Sequence, residues 1–338
     1  MNLVLNDLQA EYQSIKTEID TAVQRILDNS TFILGKEVEE FEEQFANYIG
    51  VKHCIATSSC TAALHMAVQM LRKDDILVPV RTVTADAEAV VLAGSKLKFY
   101  DENFGGQSAG GAIIVHLYGK PSPLINTTTI PFIEDCAQAT GAEINGQKVG
   151  TFGRISCFSF FPSKVLGCMG DGGALCTNDD KIARDVRALR NHGRLKGKKH
   201  EHNLIGYNYR LDALQAAVLK VKLPHLDNWI GLRRKWAKLY LSHLGGGFDE
   251  GSVYYVFTRE IPDRDEMYLY LRGRGIRCGI HYPYTLNQHS PYRWASFPKA
   301  EDWAKDTISL PMHPFLNEEK VEYVCKHFTE FLAKKVKE

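Results

Sequence analysis

The sequence predicts an α/β protein with a mostly parallel central sheet and two domains. Short apolar runs of strand length alternate with helical segments between residues 53 and 190, the arrangement that favours parallel strands with crossover helices. A chain of 338 residues is long enough for about two domains. A glycine triplet at 245–247 is a natural turn between them. We therefore expect a large domain over residues 1–245 and a smaller C-terminal α/β domain over residues 246–338.

The elements of the large domain follow one another in a regular order. Residues 7–29 and 35–50 place apolar side chains three and four positions apart, as amphipathic helices do, and the second segment ends at a glycine. Two further helices are predicted between the strands, at TAALHMAVQMLRK and ADAEAVVLAG. The predicted strands are, in chain order, HCIATSS, DILVPV, KLKFYD, AIIVHLYG, PFIEDCA, RISCFSFF and GGALCTND.

The remainder of the chain is richer in helix. DDKIARDVRALRNHG reads as one helix, and the segment from Leu211 to Gly247 reads as a long helical stretch interrupted at Pro224. The small domain is then predicted as a strand (SVYYVFTREI), a helix (RDEMYLYLRGRG), a second strand (IRCGIHY), a loop, and a terminal helix that starts near Asn317.

Composition excludes several classes of function. With 41 basic and 40 acidic side chains the net charge is +1, so no strong field draws the chain to nucleic acid or to a membrane surface. The basic run from Arg194 to His202 is interpreted as a solvated loop. The eight cysteines show no CxxC or zinc-like spacing and no metal site is expected, which indicates a reducing, cytoplasmic compartment. Neither a signal peptide nor a membrane span is apparent.

Three polar features follow strands and are expected at one edge of the sheet. The SSCTAA run lies where a strand turns into a helix, and the free N–H groups of a helix N-terminus favour a phosphate. Asp135 ends a buried strand, where a carboxylate can pair with a protonated ring nitrogen. Lys164 lies on a loop after another strand, and an amine there can form an imine with an aldehyde. Together they are what pyridoxal phosphate requires.

Each feature also has an ordinary structural interpretation. Ser58 to Thr61 could simply cap a helix, which is the commoner role for small hydroxyl residues in that position. Asp135 could be a structural carboxylate at a strand end, and Lys164 could be an exposed lysine without a role. Residue types and spacing alone leave these alternatives open.

Several separated motifs resemble one known family. These are FIEDCAQATGAEINGQKVGTFGRISCFSFFPSKVLGCMGDGGALCTNDD, RALRNHGR, GYNYRLDALQAAVLKVKLPHLD, HLYGKP and the stretch GIRCGIHYPYTL…SLPMHP. In their order along the chain, which places HLYGKP first, they resemble the DegT/DnrJ/EryC1/StrS family of pyridoxal phosphate-dependent sugar aminotransferases. The resemblance covers most of the chain and implies the type I, aspartate aminotransferase-like fold.

The resemblance assigns roles to individual residues. It implies that Lys164 forms the imine and that Asp135 pairs with the cofactor ring nitrogen, which makes these two the catalytic residues. It implies a homodimer with shared active sites, because one contact crosses to the neighbouring subunit's cofactor. The cofactor-binding residues implied are Cys60, Thr61 and Ser159 at the phosphate, Asp135 and Gln138 at the ring, Lys164 at the aldehyde, and Asn208 from the neighbouring subunit.

The sequence departs from the family pattern at three places. Val83 stands where an aromatic residue usually stacks on the cofactor ring, a loss of about 0.5–1.5 kcal/mol. The segments around residues 101–112 and 122–132 are short, so helices common in the family are expected to be missing. In HYPYTLNQHSPY, Asn287 and His289 replace the histidine and glutamine of the usual sugar-site pattern.

The function implied by the resemblance is transamination in deoxysugar biosynthesis. L-Glutamate is the expected amino donor and a nucleotide-linked 3-keto-sugar the favoured acceptor, with ping-pong kinetics through Lys164. A 4-keto-sugar or a keto-cyclitol is the alternative acceptor. A dehydratase is disfavoured because those relatives carry histidine at the position of Lys164. The remaining alternative is a non-catalytic regulatory protein of the same fold.

Overall fold

The computed structural model describes residues 2–194, 197 and 200–335. Much of the basic run, residues 195, 196, 198 and 199, lies outside these ranges. The strands of the described chain are β1 (His53–Thr57), β2 (Asp75–Pro79), β3 (Lys96–Tyr100), β4 (Gly111–Val115), β5 (Phe132–Asp135), β6 (Glu143–Ile144), β7 (Gln147–Lys148), β8 (Ile155–Ser159), β9 (Gly173–Thr177), β10 (Phe257–Glu260) and β11 (Thr307–Leu310).

The helices surround and connect these strands. The α-helices are α1 (Leu8–Ser14), α2 (Lys16–Asn29), α3 (Lys36–Ile49), α4 (Cys60–Leu71), α5 (Thr84–Leu92), α6 (Asp180–Arg190), α7 (Ala213–Lys222), α8 (Leu226–Leu244), α9 (Arg264–Arg272), α10 (Pro298–Asp306) and α11 (Glu318–Lys335). Short 3₁₀ turns occupy Leu117–Gly119, Pro123–Asn126, Leu223–His225, Leu286–Gln288 and Ser290–Tyr292.

Seven strands form the central sheet in the order β1-β9-β8-β5-β4-β2-β3. Strands β3, β2, β4, β5 and β8 are parallel to their neighbours, and β9 runs antiparallel to both β8 and β1. Because two reversals restore direction, β1 points the same way as β8. The predicted mostly parallel α/β sheet is therefore confirmed.

The two faces of the sheet are covered by different helices. Consecutive side chains of a strand point to opposite faces, so Ile55 and Cys157 pack with α4, α5 and α6. Phe158 and Ala56 belong to the other face, where α3, α7 and the first half of α8 cover the sheet. Edge-to-face ring contacts at 5.0–5.4 Å link α3 with the β8 strand and its end at Phe160.

A third apolar core holds the C-terminal part together. The second half of α8 packs through Trp236 and Tyr240 against β10, β11, α9 and α11. Leu3, at the other end of the chain, joins the same core and pairs with Ile276. Within the described residues, no helix combines the length and the apolar composition needed to cross a bilayer.

Candidate active site

Strands β1, β5 and β8 end at the same edge of the sheet. Their last residues are Thr57, Asp135 and Ser159, and α4 begins at Cys60 just after β1. The α4 start packs closely on β9, because a Cβ at Gly173 would lie 2.4 Å from the Ser59 carbonyl carbon. Glycine at this position therefore allows the N-terminus of α4 to lie at the edge of the sheet where these strands end.

Asp135 is a buried carboxylate, 2% exposed. Its Oδ1 accepts a hydrogen bond from Ala137 N at 2.8 Å and faces the Cys60 thiol, with Sγ 3.8 Å away. Burial raises the pKa of Asp135, while the Ala137 N–H and the nearby charge of Lys164 oppose the rise. Among the described residues no cationic side chain forms an ion pair with this carboxylate, so it remains available to a ring N–H.

Lys164 lies in the turn after β8, with its amine directed at an aromatic face. Its Nζ is 4.6 Å from the ring centroid of Tyr255, and the described part of the chain offers it no ion pair or hydrogen bond. The pKa of His281 is lowered, first by burial and then by the charge of Lys164, which places the imidazole near the same amine. An unpaired amine of this kind is free to condense with an aldehyde.

The turn that carries Lys164 is fixed by its neighbours. Asn6 Nδ2 donates to Ser163 O at 2.8 Å, and the buried Lys222 amine donates to Gly167 O at 2.6 Å. A Cβ on Gly167 would lie 2.4 Å from Pro162 O, so the turn closes only with glycine there. These contacts restrict the position of the amine before any ligand binds.

The start of α4 has the donors that a phosphate needs. Ser59 caps the helix by accepting from Ala62 N at 3.1 Å. The N–H groups of Cys60 and Thr61 lie in the first turn, where the helix itself supplies no acceptor. Ser159 Oγ, at the end of β8, accepts from Phe161 N at 3.3 Å and keeps its own hydroxyl proton for a further partner.

Gln138 is held by two neighbours near the end of β5. Its Oε1 accepts from Tyr118 N at 2.7 Å, and its Nε2 donates to Tyr282 Oη at 3.0 Å. The side chain is 5% exposed and keeps one amide proton for a ligand. The aromatic rings of Tyr282, Tyr118 and Tyr255 therefore belong to the same part of the molecule as Asp135 and Lys164.

Asn208 is placed differently from the other predicted residues. Its backbone pairs with Asn191, and next to it Tyr209 O accepts from Ser58 N at 2.9 Å. The Asn208 side chain is exposed, and within the described residues it has no hydrogen-bond partner. The segment thus lies beside the start of α4, and its Asn208 side chain is open to solvent.

Asn287, at the position of the family's sugar-site histidine, is held by hydrogen bonds within the chain. It is buried, and its Nδ2 donates to Ala295 O at 3.1 Å and to Glu301 Oε1 at 2.8 Å. Its Oδ1 accepts from Thr285 Oγ1 at 2.7 Å. Both of its amide protons and one lone pair of its oxygen are used within the fold, so the contacts of Asn287 are explained as structural.

Sequence reasoning missed a second buried acid and three tyrosines. Asp86 lies in the first turn of α5, is fully buried, and faces Asp135. An acid in the apolar run ADAEAVVLAG was the available signal. Tyr118, Tyr255 and Tyr282 reach the site from segments far apart in the chain. Val83, the residue in place of the stacking aromatic, is half-buried immediately before α5.

A buried His116–Glu134–Cys136 group has metal-like composition but is satisfied by hydrogen bonds. His116 Nε2 lies 3.1 Å from Glu134 Oε2, and His116 Nδ1 accepts from Ser122 N at 2.9 Å. Glu134 also accepts from three backbone N–H groups, those of Gly150, Phe152 and Gly153. With every lone pair of the histidine used, the group is explained as structural.

Comparisons with known proteins identify the family to which this arrangement of residues belongs. The model of the DegT/DnrJ/EryC1/StrS aminotransferase family matches residues 13–104 and 107–329. A protein of Acidithiobacillus ferrooxidans named UDP-N-acetyl-3-dehydro-alpha-D-glucosamine 3-aminotransferase is 38% identical, covering 94% of this chain and 95% of its own. A Geobacillus stearothermophilus protein named pleiotropic regulatory protein is 36% identical, covering 98% and 99%.

Among solved structures, DesV of S. venezuelae, described in complex with a ketimine intermediate, superposes with a TM-score of 0.92. It is 33% identical, with 98% of each chain covered. The type I fold predicted from the sequence is thereby confirmed. The buried carboxylate, unpaired lysine and open helix N-terminus fit the cofactor of these enzymes. The chain is therefore a member of the DegT/DnrJ/EryC1/StrS aminotransferase family, which uses pyridoxal phosphate.

Proposed function

We propose that the protein transfers the amino group of L-glutamate to the C3 carbonyl of a nucleotide-linked keto-deoxysugar. The observation that carries this proposal is the convergence of Lys164, Asp135 and the α4 N-terminus at one edge of the sheet. Both half-reactions use the same amine and the same carboxylate, so ping-pong kinetics are expected. The cofactor requirement follows from family membership.

Bound pyridoxal phosphate supplies an aldehyde that condenses with amines and a ring that withdraws electrons. Around it, Cys60, Thr61 and Ser159 would hold the phosphate through N–H and hydroxyl donors. Asp135 would hold the proton on the ring nitrogen, and Gln138 would donate its remaining amide proton to the ring hydroxyl. Lys164, restrained by its turn, would act as the proton carrier. Its Nζ would take a proton from the reacting carbon of the amino donor, and would return a proton to the reacting carbon of the keto-sugar.

The choice of C3 rests on the Acidithiobacillus ferrooxidans relative, whose name specifies 3-amination. A 4-keto-sugar or a keto-cyclitol remains the alternative acceptor, because Asn287 leaves the usual sugar-site histidine without a counterpart. Turnover of a panel of nucleotide-linked 3-keto- and 4-keto-sugars with L-glutamate separates the candidates. Faster conversion of a 4-keto-sugar contradicts the C3 assignment.

A non-catalytic regulatory role is the second candidate, favoured by the name of the Geobacillus stearothermophilus relative. The Lys164 amine without an ion pair and the buried Asp135 carboxylate without a cationic partner argue for the enzyme, because burying an acid without such a partner costs free energy. Binding of cofactor without turnover of any amino donor would support the regulatory candidate.

We also infer a homodimer in which Asn208 reaches the cofactor phosphate of the partner subunit. Apolar side chains are exposed on and near the segment that carries it, with Ile205 94% exposed. Large apolar side chains that a folded chain leaves exposed are typical of an interface. Leu204 beside Ile205 is also exposed, as are Phe32 and Ile33, whose segment pairs with residues 212–213 just beyond Asn208.

The division into domains at residue 245 remains part of this proposal. The glycine triplet follows α8, and the C-terminal core begins to form within that helix. A cytoplasmic location is proposed on the same footing, because all eight cysteines are free and buried.

The proposal is tested first at Lys164. Borohydride reduction of the protein with pyridoxal phosphate should attach the cofactor to a peptide that contains Lys164. Lys164→Ala should lose that label and lower kcat by at least about a thousandfold, since it removes both the amine and the proton carrier. Lys181→Ala, an exposed lysine on α6, is the matched control and should retain label and turnover. Transamination by Lys164→Ala contradicts the assignment.

A further inference from the structure

A second buried carboxyl group, Asp86, lies against the one assigned to the cofactor ring. Asp86 is 0% exposed and Asp135 is 2% exposed. Asp86 projects from the first turn of α5, while Asp135 ends β5, and the two side chains face each other. None of the roles given so far uses Asp86.

The hydrogen bonds of Asp86 are unevenly distributed. Its Oδ2 accepts from the buried Thr82 hydroxyl at 2.6 Å. Its Oδ1 is buried, and no N–H or O–H among the described residues donates to it. Asp135 is an acid that acts on Asp86. Because Thr82 engages Oδ2, Oδ1 is the oxygen left to face it. An oxygen in this position is either an orphaned acceptor or the oxygen that carries a proton.

Two adjacent carboxyl groups in an apolar interior do not both ionise, because their charges repel without water to screen them. The surrounding donors decide which one keeps the charge. Asp135 has the Ala137 N–H at 2.8 Å, the Cys60 thiol at 3.8 Å and the positive charge of Lys164 nearby. Asp86 has only the Thr82 hydroxyl and the N-terminal end of α5, whose dipole stabilises an anion weakly. The charge therefore belongs on Asp135.

We propose that Asp86 keeps its proton at neutral pH and donates a hydrogen bond from Oδ1 to Asp135, which makes it a positioning residue for the carboxylate at the cofactor ring. This inference rests on the proposed role of Asp135. A carboxylate held by an O–H donor is fixed in orientation and is a weaker base than a free one.

The electrostatic surroundings of the two acids agree with this geometry. Burial and then the charge of Asp135 raise the pKa of Asp86 far above its ordinary value. Asp86 in turn lowers the pKa of Asp135, although burial leaves that pKa raised overall. The pair therefore holds one proton as a unit.

Among the described residues, the thiols and phenols that face Asp86 do not supply a competing charge. Burial raises the pKa of each thiol and phenol around Asp86, so these remain neutral; they are Cys60 on α4, Cys157 on β8, Tyr100 on β3 and Tyr282. The groups that act on Asp135 rather than Asp86 are Lys164 and His116, with the neutral thiol of Cys136 beside them.

The first test uses the cofactor-free protein and the variants Asp86→Asn and Glu88→Gln. Glu88 is an exposed acid on the same helix and is the matched control. An unfolded aspartate ionises near pH 3.9, whereas the folded pair keeps its extra proton. Above that pH the unfolding constant of the wild type, divided by that of Asp86→Asn, should rise roughly tenfold per pH unit until Asp86 ionises. A ratio that stays constant between about pH 5 and pH 8 overturns the proposal.

The second test compares Asp86→Ala with Asp86→Asn in the holoenzyme. Asparagine can accept from Thr82 and donate an N–H to Asp135, so Asp86→Asn should keep the acidic limb of the kcat–pH profile in place. Asp86→Ala removes the donor, so the limb should move to higher pH and kcat should fall about tenfold to a hundredfold. If Asp86 is ionised, both variants remove a negative charge beside Asp135. The acidic limb of the kcat–pH profile then moves to lower pH in each variant, and this result overturns the proposal.

The two tests separate this inference from the proposed function. The unfolding measurement contains no cofactor, so a proton held by the pair appears there whatever Lys164 does. A flat stability ratio, with Lys164 still labelled by borohydride, would leave the enzyme assignment intact and remove only the role of Asp86.

Discussion

Glu134 shows how a single residue fixes the direction of its neighbour Asp135. Successive side chains on a strand point to opposite faces, so anchoring Glu134 on one face of β5 sets Asp135 on the other. Glu134 is fully buried and accepts from three backbone N–H groups of the loop at 150–153 and from His116. Burial alone would raise its pKa, but hydrogen bonds and charge from His116 lower it overall.

Glu134→Ala should therefore be strongly destabilising. It leaves three buried N–H groups without an acceptor, each worth about 1–3 kcal/mol, so a loss of about 3 kcal/mol or more is expected in denaturant unfolding. Glu134→Gln keeps one carbonyl acceptor and should lose less. A variant Glu134→Ala within about 1 kcal/mol of the wild type would contradict this role.

The same residue gives a pH dependence with a definite sign. The pKa of folded Glu134 lies below its ordinary value, so its contribution to stability is present above the unfolded value near 4.3. That contribution is lost as pH falls through the folded pKa. The stability difference between wild type and Glu134→Gln should accordingly shrink below about pH 4, as measured by unfolding across the acid range.

At the scale of single residues, sequence reasoning found those that follow strands and missed those that arrive by tertiary contact. Asp135, Ser159 and Lys164 were predictable because the ends of parallel strands meet at one edge. Tyr255 reaches Lys164 only because the chain returns from the C-terminal part, and no local pattern records that return. Asp86 was visible as an acid in an apolar helix, but its neighbour at the end of β5 was not.

Among elements, the seven strands of the central sheet and the helix break at Pro224 were predicted correctly. The predicted strand at 276–282 was wrong. Its Arg277 N donates to Leu3 O at 2.8 Å and Gly279 pairs with Ser309, so two isolated bridges stand in place of a ladder. The partner of β10 is instead β11, preceded by α10, and both lie in a region interpreted as loop. Pairing choices of this kind depend on long-range contacts that apolar patterns do not encode.

The start of α6 supports a prediction about a whole element. Asp179 caps the helix by accepting from Lys181 N at 2.9 Å and Ile182 N at 3.1 Å. Asp179→Ala should lower the free energy of unfolding by about 1 kcal/mol, and Asp179→Asn, which keeps an oxygen acceptor, by only a few tenths. Denaturant unfolding of both variants is the measurement. An equal loss in the two would assign the effect to the ion pair with Arg154 rather than to the cap.

At the scale of the molecule, the first eleven residues connect parts that are far apart in sequence. Leu3 joins the C-terminal core, Asn6 donates to the turn that carries Lys164, and Glu11 pairs with the buried Lys222 at 2.6 Å. Lys222 in turn donates to Gly167 O. The sequence predicted a helix here but not this role, because the contacts exist only once both parts of the chain have folded.

The shared active site of the proposed homodimer can be tested by mixing inactive subunits. If Asn208 completes the partner's site, a Lys164→Ala subunit still offers its Asn208, and an Asn208→Ala subunit still offers its Lys164. A dimer of one subunit of each kind then has one intact site and one site lacking both residues. Refolding the two variants together in equal amounts should give heterodimers in about half of the dimers and hence about a quarter of wild-type turnover. Mixing Lys164→Ala with Asp135→Asn is the control, because both residues belong to one subunit's site and no intact site can form. Turnover in the first mixture no higher than in the control would show that Asn208 does not act across the interface.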